Sequence, residues 1–123
     1  MKLIDVTVLN CRVEDAARLP LYREKFDFTL ARAVARMPTL AEYLLPLVRL
    51  GGYMLAQKGS SAHEETQAAS NAIHIFGGQL ENILPVELPG VSDERFIVVV
   101  KKVAATPAQY PRIAGMPAKK PIL

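Results

Sequence analysis

Residues 96–102 read Phe-Ile-Val-Val-Val-Lys-Lys, and no other stretch of the chain indicates a β-strand as strongly. Five apolar residues in a row, most of them β-branched, are typical of a strand buried on both faces, and the two lysines mark its end. The same reasoning applied toward the N-terminus predicts four more strands, at residues 6–9, 26–31, 53–58 and 80–88. Pro85 lies within the last of these, which favours a position at the edge of the sheet.

Two helices are predicted between these strands. Thr39 and Glu42 have the spacing of a capping box, and apolar residues follow at helical intervals. Ser61 and Glu64 have the same spacing at the start of a second helix, which the next pair of glycines ends. Pro46 removes one backbone donor, so it should kink or shorten the first helix.

Strands and helices thus alternate along most of the chain, an order that implies parallel strands joined by helical crossovers. A short helix or turn within residues 14–25 separates the first two strands. Only residues 89–95 separate the last two, and this connection contains Pro-Gly and Ser-Asp pairs typical of turns. The sequence therefore predicts an α/β fold, with a mostly parallel sheet and an antiparallel C-terminal hairpin at its edge.

The composition is that of one globular domain. The 123 residues are 50% hydrophobic and 22% charged, which argues against a disordered or collagen-like chain. The single cysteine, Cys11, cannot form an internal disulfide or a zinc cluster, so a reducing, cytoplasmic location is expected. No apolar stretch approaches the ~20 residues that span a bilayer, and the first residues lack the pattern of a signal peptide.

Positive charge is concentrated at the C-terminal end. Residues 101–123 contain five lysines and arginines, no acid and four of the nine prolines, while the first 100 residues carry ten basic and twelve acidic side chains. Such a segment lies extended, and its cations could meet phosphate. A solubilising, partly ordered terminus is the alternative. The chain is thus divided into residues 1–103, the folded domain, and residues 104–123, a basic tail.

Ligands of open parallel sheets bind beyond the carboxyl ends of the strands. Candidate residues there are Arg32 and Arg36 after the second predicted strand and Lys58 after the third. An arginine beside an apolar strand needs solvent, an anionic ligand or a salt bridge, and for Arg32 the acids Glu14, Asp15 and Asp27 are possible partners. His63 and His74 lack a third residue at metal-ligand spacing, so no metal site is predicted.

Several strings occur together that are shared with one known family. They are Ala31-Arg32-Ala33-Val34-Ala35-Arg36, Leu45-Pro46-Leu47-Val48, Gly51-Gly52, Lys58-Gly59, Gly77 to Ile83, Val98 to Lys102, Thr106-Pro107, Tyr110-Pro111-Arg112, Gly115-Met116-Pro117 and Lys119-Lys120-Pro121. With them the chain resembles the glucose-inhibited division protein B family, also called ribosomal RNA small subunit methyltransferase G. The resemblance covers nearly the whole chain, and the tail strings are specific.

The resemblance implies a Rossmann-like fold of S-adenosylmethionine-dependent methyltransferases, truncated at the N-terminus, and methylation of a guanine N7 in small-subunit ribosomal RNA. It places cofactor contacts on Val13, Glu14 and Arg32, with Val13 standing where members commonly carry alanine. It implies no metal and no catalytic side chain. Candidates for contact with RNA share a basic or aromatic side chain near the expected catalytic mouth or in the tail: Arg36, Lys58, Tyr110, Arg112, Lys119 and Lys120.

One departure from the family is large. The family's glycine-rich loop, which holds the methionine part of the cofactor, and the acid that binds the ribose have no counterpart in this chain. The chain therefore resembles the C-terminal portion of the enzyme, and a separately encoded N-terminal half is a candidate partner. Alone, it is expected to bind S-adenosylmethionine weakly or not at all. A non-catalytic remnant or RNA-binding module and a methyltransferase with another substrate remain alternative functions.

Overall fold

The computed structural model describes residues 6–32, 35–87, 89–90 and 93–123. Its strands are β1 (Phe26–Arg32), β2 (Val48–Lys58), β3 (Gly78–Pro85) and β4 (Phe96–Lys102). Its α-helices are α1 (Val13–Ala16), α2 (Met37–Leu44), α3 (Ala62–Ala68), α4 (Ser70–Ile75) and α5 (Met116–Lys119), and a 3-10 turn, Leu45–Leu47, follows α2. Within these ranges, no helix combines the length and the apolar character needed to cross a bilayer.

The four strands form one mixed sheet in the order β1-β2-β4-β3. β1 pairs with β2 in parallel, whereas β4 is antiparallel to both β2 and β3. Three strands therefore point one way and β4 alone runs against them. This confirms the predicted α/β sheet with an antiparallel C-terminal hairpin, although only β3 of that hairpin lies at the edge, because β4 is inserted beside β2.

The predicted strand at residues 6–9 is wrong. Residues 6–10 have no regular secondary structure and are exposed in the structure. A β-branched run forms a strand only beside a pairing partner, and none of the described strands pairs with this one. At the other end of the sheet, the strand predicted to reach Leu88 ends at Pro85, and Leu88 itself lies outside the described residues.

The two predicted capping boxes are also wrong. α2 begins at Met37, so Thr39 and Glu42 lie inside the helix, where they bind the C-terminal segment instead. Ser61 is the N-cap residue of α3, as predicted, but its hydroxyl donates to Glu65 at 2.7 Å and does not accept from the backbone N–H of Glu64. Local spacing alone could not reveal the partners of Thr39 and Glu42, because these lie 70 or more positions away in sequence.

The core lies between one face of the sheet and the helices. Large side chains that are at most 1% exposed fill it: Phe76, Leu40, Leu45, Met37, Met54, Val98 and Val100. The opposite face carries apolar side chains without such a cover, since Phe28 is 58% exposed and Leu30 is 71% exposed. Parallel strands usually have both faces covered, so this open face is an unusual feature of the described chain.

Residues 104–123, which we call the C-terminal strap, pack along the rest of the chain. The Arg23 guanidinium donates to the backbone oxygens of Thr106 at 3.0 Å and of Tyr110 at 2.6 Å. The Tyr110 ring meets Phe76 edge-on, with ring centroids 5.0 Å apart. The strap is therefore held by the folded domain, although its sequence has the pattern of a basic tail.

Lys102 is fully buried at the end of β4. Its Nζ donates to the backbone oxygens of Leu45 at 2.6 Å and Val48 at 2.9 Å, and it lies 3.1 Å from a carboxylate oxygen of Glu24. Burial lowers the pKa of Lys102, and Glu24 offsets part of that effect. The ammonium thus joins β4, the 3-10 turn and the segment before β1.

We expect Lys102→Met to destabilise the chain by about 3 kcal/mol, because it leaves two buried carbonyl groups and one carboxylate without their partner. Lys101→Met, on the half-buried opposite face of the same strand, is the matched control and should change stability by less than about 0.5 kcal/mol. Urea denaturation of both variants measures the difference. Equal stabilities would contradict a structural role for the buried ammonium.

Candidate cofactor and RNA site

A polar cavity of about 280 Å³ lies at the carboxyl ends of β1 and β2. Arg32 is the last residue of β1 and Lys58 is the last of β2. β4 runs antiparallel to β2, and its first residue, Phe96, lies opposite Lys58. Arg95, the residue before β4, therefore reaches the same edge of the sheet. The structure therefore brings together two predicted cations and one that the sequence did not single out.

Lys58 is neutralised inside the chain. Its Nζ donates to the Ala35 backbone oxygen and lies 3.1 Å from Oε1 of Glu65. Burial would raise the pKa of Glu65, but hydrogen bonds from Ser61 and Lys58 lower it below its ordinary value. The contact of Lys58 with RNA stays a prediction, and within the described chain its ammonium group is paired with Glu65.

Arg32 and Arg95 supply the positive charge of the cavity. Among the described residues, Arg32 has no salt bridge, and the suggested partner Asp27 is paired with Arg49 instead. Arg95 lies 3.9 Å from the exposed carboxylate of Asp93, a contact that water screens. Since Glu65 is already paired with Lys58, the two guanidinium groups make the cavity suited to an anion such as a phosphate.

The segment proposed to contact the cofactor forms α1. Glu14 is 1% exposed, and its carboxylate accepts hydrogen bonds from the Gly115 amide at 2.9 Å and from Arg12 at 3.1 Å. Burial would raise the pKa of Glu14, whereas the amides of Gly115 and of Glu14 itself, together with Arg12, lower it. The carboxylate is thus engaged within the chain, and the backbone remains for a ligand.

The backbone at Val13 has a donor that the described chain does not use. The Val13 side chain is half-buried, and its N–H makes no hydrogen bond to another described residue. A backbone N–H can donate to the edge of an adenine ring, and an apolar side chain next to it can pack against the face of the ring. Of the predicted pair, Val13 therefore offers a main-chain donor and an apolar side chain, whereas the Glu14 carboxylate is engaged within the chain.

The remaining RNA candidates fall into two groups. Arg36 is exposed directly before α2, and Lys119 and Lys120 are exposed at the end of α5. Tyr110 and Arg112 are engaged in packing, because Tyr110 contacts Phe76 and Arg112 forms a two-pronged ion pair with Glu42. Only the first group presents exposed cations, and the RNA surface proposed below uses that group.

The model of one protein family, described as rRNA small subunit methyltransferase G, matches residues 1–92. The chain belongs to this family. A ribosomal RNA small subunit methyltransferase G from Roseiflexus castenholzii is 52% identical over all 123 residues, which cover 52% of that relative. Another from Desulforamulus reducens is 48% identical over 98% of the chain and 50% of the relative.

These relatives of the methyltransferase G family are longer than the chain, which spans about half of their length. One similar solved structure is the T. thermophilus 16S rRNA N2 G1207 methyltransferase RsmC in complex with AdoMet and guanosine. The aligned region is 69% of this chain and 22% of the RsmC chain. Its TM-score of 0.46 and 13% identity are too low to support an argument about function. The family match over residues 1–92, together with a relative that aligns over the tail as well, confirms the resemblance drawn from the ARAVAR segment and the tail strings.

Arg95 is the site residue that sequence reasoning missed. It lies one position before the strand that gave the clearest pattern in the chain, but a charged residue before a strand is an ordinary solvated position. Its place at the cavity depends on β4 being inserted antiparallel beside β2, since β4 then begins where β2 ends. No local sequence pattern predicts that β4 lies beside β2.

Proposed function

We propose that the chain acts in the transfer of a methyl group from S-adenosylmethionine to N7 of a guanine in small-subunit ribosomal RNA. Its membership of the rRNA small subunit methyltransferase G family, over residues 1–92, is the observation that carries this proposal. An enzyme with such a substrate would work in the cytoplasm, where ribosomes are. The structural features of the candidate site support the same reaction.

S-adenosylmethionine, when bound, supplies a methyl group on a positively charged sulfur. Guanine N7 attacks with a free lone pair and carries no proton, so the chain does not need a general base. The residues of the chain act by orienting the base and excluding water. This agrees with a candidate site that contains two arginines and a paired lysine, with no carboxylate or histidine free to take a proton among its described lining residues.

In this proposal the backbone of Val13 and Glu14 contacts the adenine, and Arg32 lies at the mouth between cofactor and RNA. Arg32 and Arg95 neutralise phosphate at the cavity, and Arg36 extends this surface toward α2. Lys119 and Lys120 add positive charge from the strap. These contacts hold RNA by its backbone, and base identity would be read at the catalytic mouth.

Replacing Lys119 and Lys120 with alanine should weaken RNA binding and reduce the slope of log K against log salt by about 1.4, since each phosphate contact to single-stranded RNA contributes about 0.7. Fluorescence anisotropy with a small-subunit RNA fragment, titrated from low to high salt, measures this slope. The double replacement of the exposed cations Arg18 and Lys25 is the control of equal charge. If both double variants give the same slope, the strap lysines do not contact RNA.

The partner implied by the family is the amino-terminal half of such an enzyme, supplied by the same polypeptide or by a separate one. The described chain spans about half of its relatives, and its open sheet face carries exposed Phe28 and Leu30. The outer edge of β1 is also unpaired among the described strands. An additional set of strands and helices would cover both features.

The test is transfer of a labelled methyl group from S-adenosylmethionine to small-subunit ribosomal RNA by the chain together with the amino-terminal half of the Roseiflexus castenholzii relative. Incorporation into RNA supports the proposed function. Binding of the RNA without incorporation, under conditions in which the intact relative is active, would favour a non-catalytic RNA-binding module.

A further inference from the structure

The C-terminal strap reaches the α1 segment through one buried contact. The backbone N–H of Gly115 donates to Oε2 of Glu14 at 2.9 Å, across 101 positions of sequence. The same oxygen accepts from Arg12 at 3.1 Å, and Glu14 is almost completely buried. A buried carboxylate needs these donors, so the position of α1 is tied to the position of Gly115.

Contacts with α2 fix the strap on both sides of Gly115. Before it, Arg112 binds the fully buried carboxylate of Glu42 through its guanidinium at 2.8 Å and through its backbone N–H at 2.8 Å. After it, the Thr39 hydroxyl donates to the Pro117 backbone oxygen at 3.0 Å. α2 lies in the core, so these two anchors hold Gly115 against a rigid element.

The other end of α1 is held by the same strap. Arg23 donates to the backbone oxygens of Thr106, Pro107 and Tyr110, and it also reaches the backbone oxygen of Ala17 at 3.4 Å. The strap therefore contacts α1 at Glu14 near its start and, through Arg23, at Ala17 just after its end. A four-residue helix has little stability of its own, so its placement depends on these contacts.

We propose that the C-terminal strap is the positioning element for the α1 segment, and that Glu14 and Arg112 are positioning residues for cofactor binding. The inference rests on the proposed function in one respect, which is that the backbone of Val13 and Glu14 contacts S-adenosylmethionine. The Glu14 carboxylate then acts on the cofactor only through the backbone that it holds in place. Loosening the strap should weaken cofactor binding and leave the rate at saturating cofactor nearly unchanged.

The first measurement needs no cofactor. Hydrogen exchange of the Asp15, Ala16 and Ala17 amides, which bond to Arg12 and Val13, reports on α1 in the chain by itself. We expect Arg112→Met to accelerate exchange of these amides at least tenfold, and Arg112→Lys to restore part of the protection. The control is Ile113→Ser, at an exposed strap position, which should leave exchange unchanged.

Arg112→Met leaves the buried Glu42 without its cation, so it could unfold the chain. Thr39→Val, which removes only the hydroxyl bond to Pro117, is the milder second variant and should accelerate exchange of the same amides by a smaller factor. Amides in the paired strands β2 and β4 serve as an internal reference. If the α1 amides of these variants exchange at the same rate as in the unsubstituted chain, the positioning role of the strap is overturned.

The second measurement is the Kd for S-adenosylmethionine of the complex between the chain and an amino-terminal half. We expect Arg112→Met to raise this Kd by about tenfold or more and Thr39→Val to raise it by a smaller factor, and both to raise KM for the cofactor with little change in kcat. Faster α1 exchange with an unchanged Kd would overturn the cofactor role of the strap. Absence of cofactor binding even in the unsubstituted complex would instead contradict the proposed function, and the exchange result would still decide whether the strap positions α1.

Discussion

Replacing Gly77 with alanine should prevent the chain from folding stably. Gly77 has a φ of 89° at the turn between α4 and β3, and its backbone oxygen accepts hydrogen bonds from the amides of Val103 and Ala104. A Cβ at this position would lie 2.9 Å from the carbonyl carbon of Ala104 and closer still to its oxygen. The neighbour is backbone, so it cannot rotate away.

The expected cost of Gly77→Ala is more than about 4 kcal/mol, which exceeds the usual effect of a single substitution and approaches the whole stability of a small domain. Gly90→Ala is the matched control, because Gly90 has a φ of 78° and a Cβ added there would have no atom of the described residues within 4 Å. The expected loss of stability for Gly90→Ala is then only that of holding an alanine in the left-handed backbone conformation, about 1–2 kcal/mol. Circular dichroism and urea denaturation of both variants distinguish crowding from backbone strain, and similar losses in the two would contradict the close approach at Gly77.

Adding an amino-terminal half should convert the chain from one with negligible affinity for S-adenosylmethionine into one that binds it at micromolar concentration. The chain spans about half the length of the relatives it matches, and its proposed cofactor contacts are limited to the α1 backbone and Arg32. A shift from about millimolar to about micromolar Kd corresponds to about 4 kcal/mol of binding free energy. Calorimetry on the chain, on the half and on their mixture measures it.

The open sheet face gives this prediction a structural control. Leu30→Lys places a charge where we expect the amino-terminal half to cover β1, so it should abolish the gain in cofactor affinity. It should leave the isolated chain nearly as stable as before, because Leu30 is 71% exposed there. Ile113→Lys, at an exposed strap position, should keep the gain. Micromolar binding of the cofactor by the isolated chain would contradict the need for the second half.

The sheet was largely predictable from sequence because its strands are apolar runs whose direction follows from the intervening helices. β4 carries five apolar residues in a row, and β1 and β2 flank a helix, as the pattern indicated. What the pattern could not supply was pairing. Residues 6–9 have strand-forming side chains, but in the described chain no strand lies beside them, and β-propensity without a neighbour does not make a strand.

The candidate site was predictable in part. Arg32 and Lys58 end neighbouring parallel strands, so their meeting at one edge follows from topology alone. The neutralisation of Lys58 does not, because it depends on Glu65, a residue one turn into α3. The contacts of Tyr110 and Arg112 with RNA stay predictions, but their packing within the chain could not be predicted. Their partners there, Phe76 and Glu42, are buried side chains far away in sequence, which charge counting cannot identify.

The position of the methyl group on the RNA is the most direct test of the proposed reaction. N7-methylguanine is selectively reduced by borohydride, after which aniline cleaves the RNA at that nucleotide. We expect small-subunit ribosomal RNA treated with the chain, an amino-terminal half and S-adenosylmethionine to be cleaved at a guanine, and RNA from a reaction lacking either half to remain intact. Methyl incorporation without such cleavage, or cleavage by the amino-terminal half alone, would contradict the claim that this chain completes an N7-guanine methyltransferase.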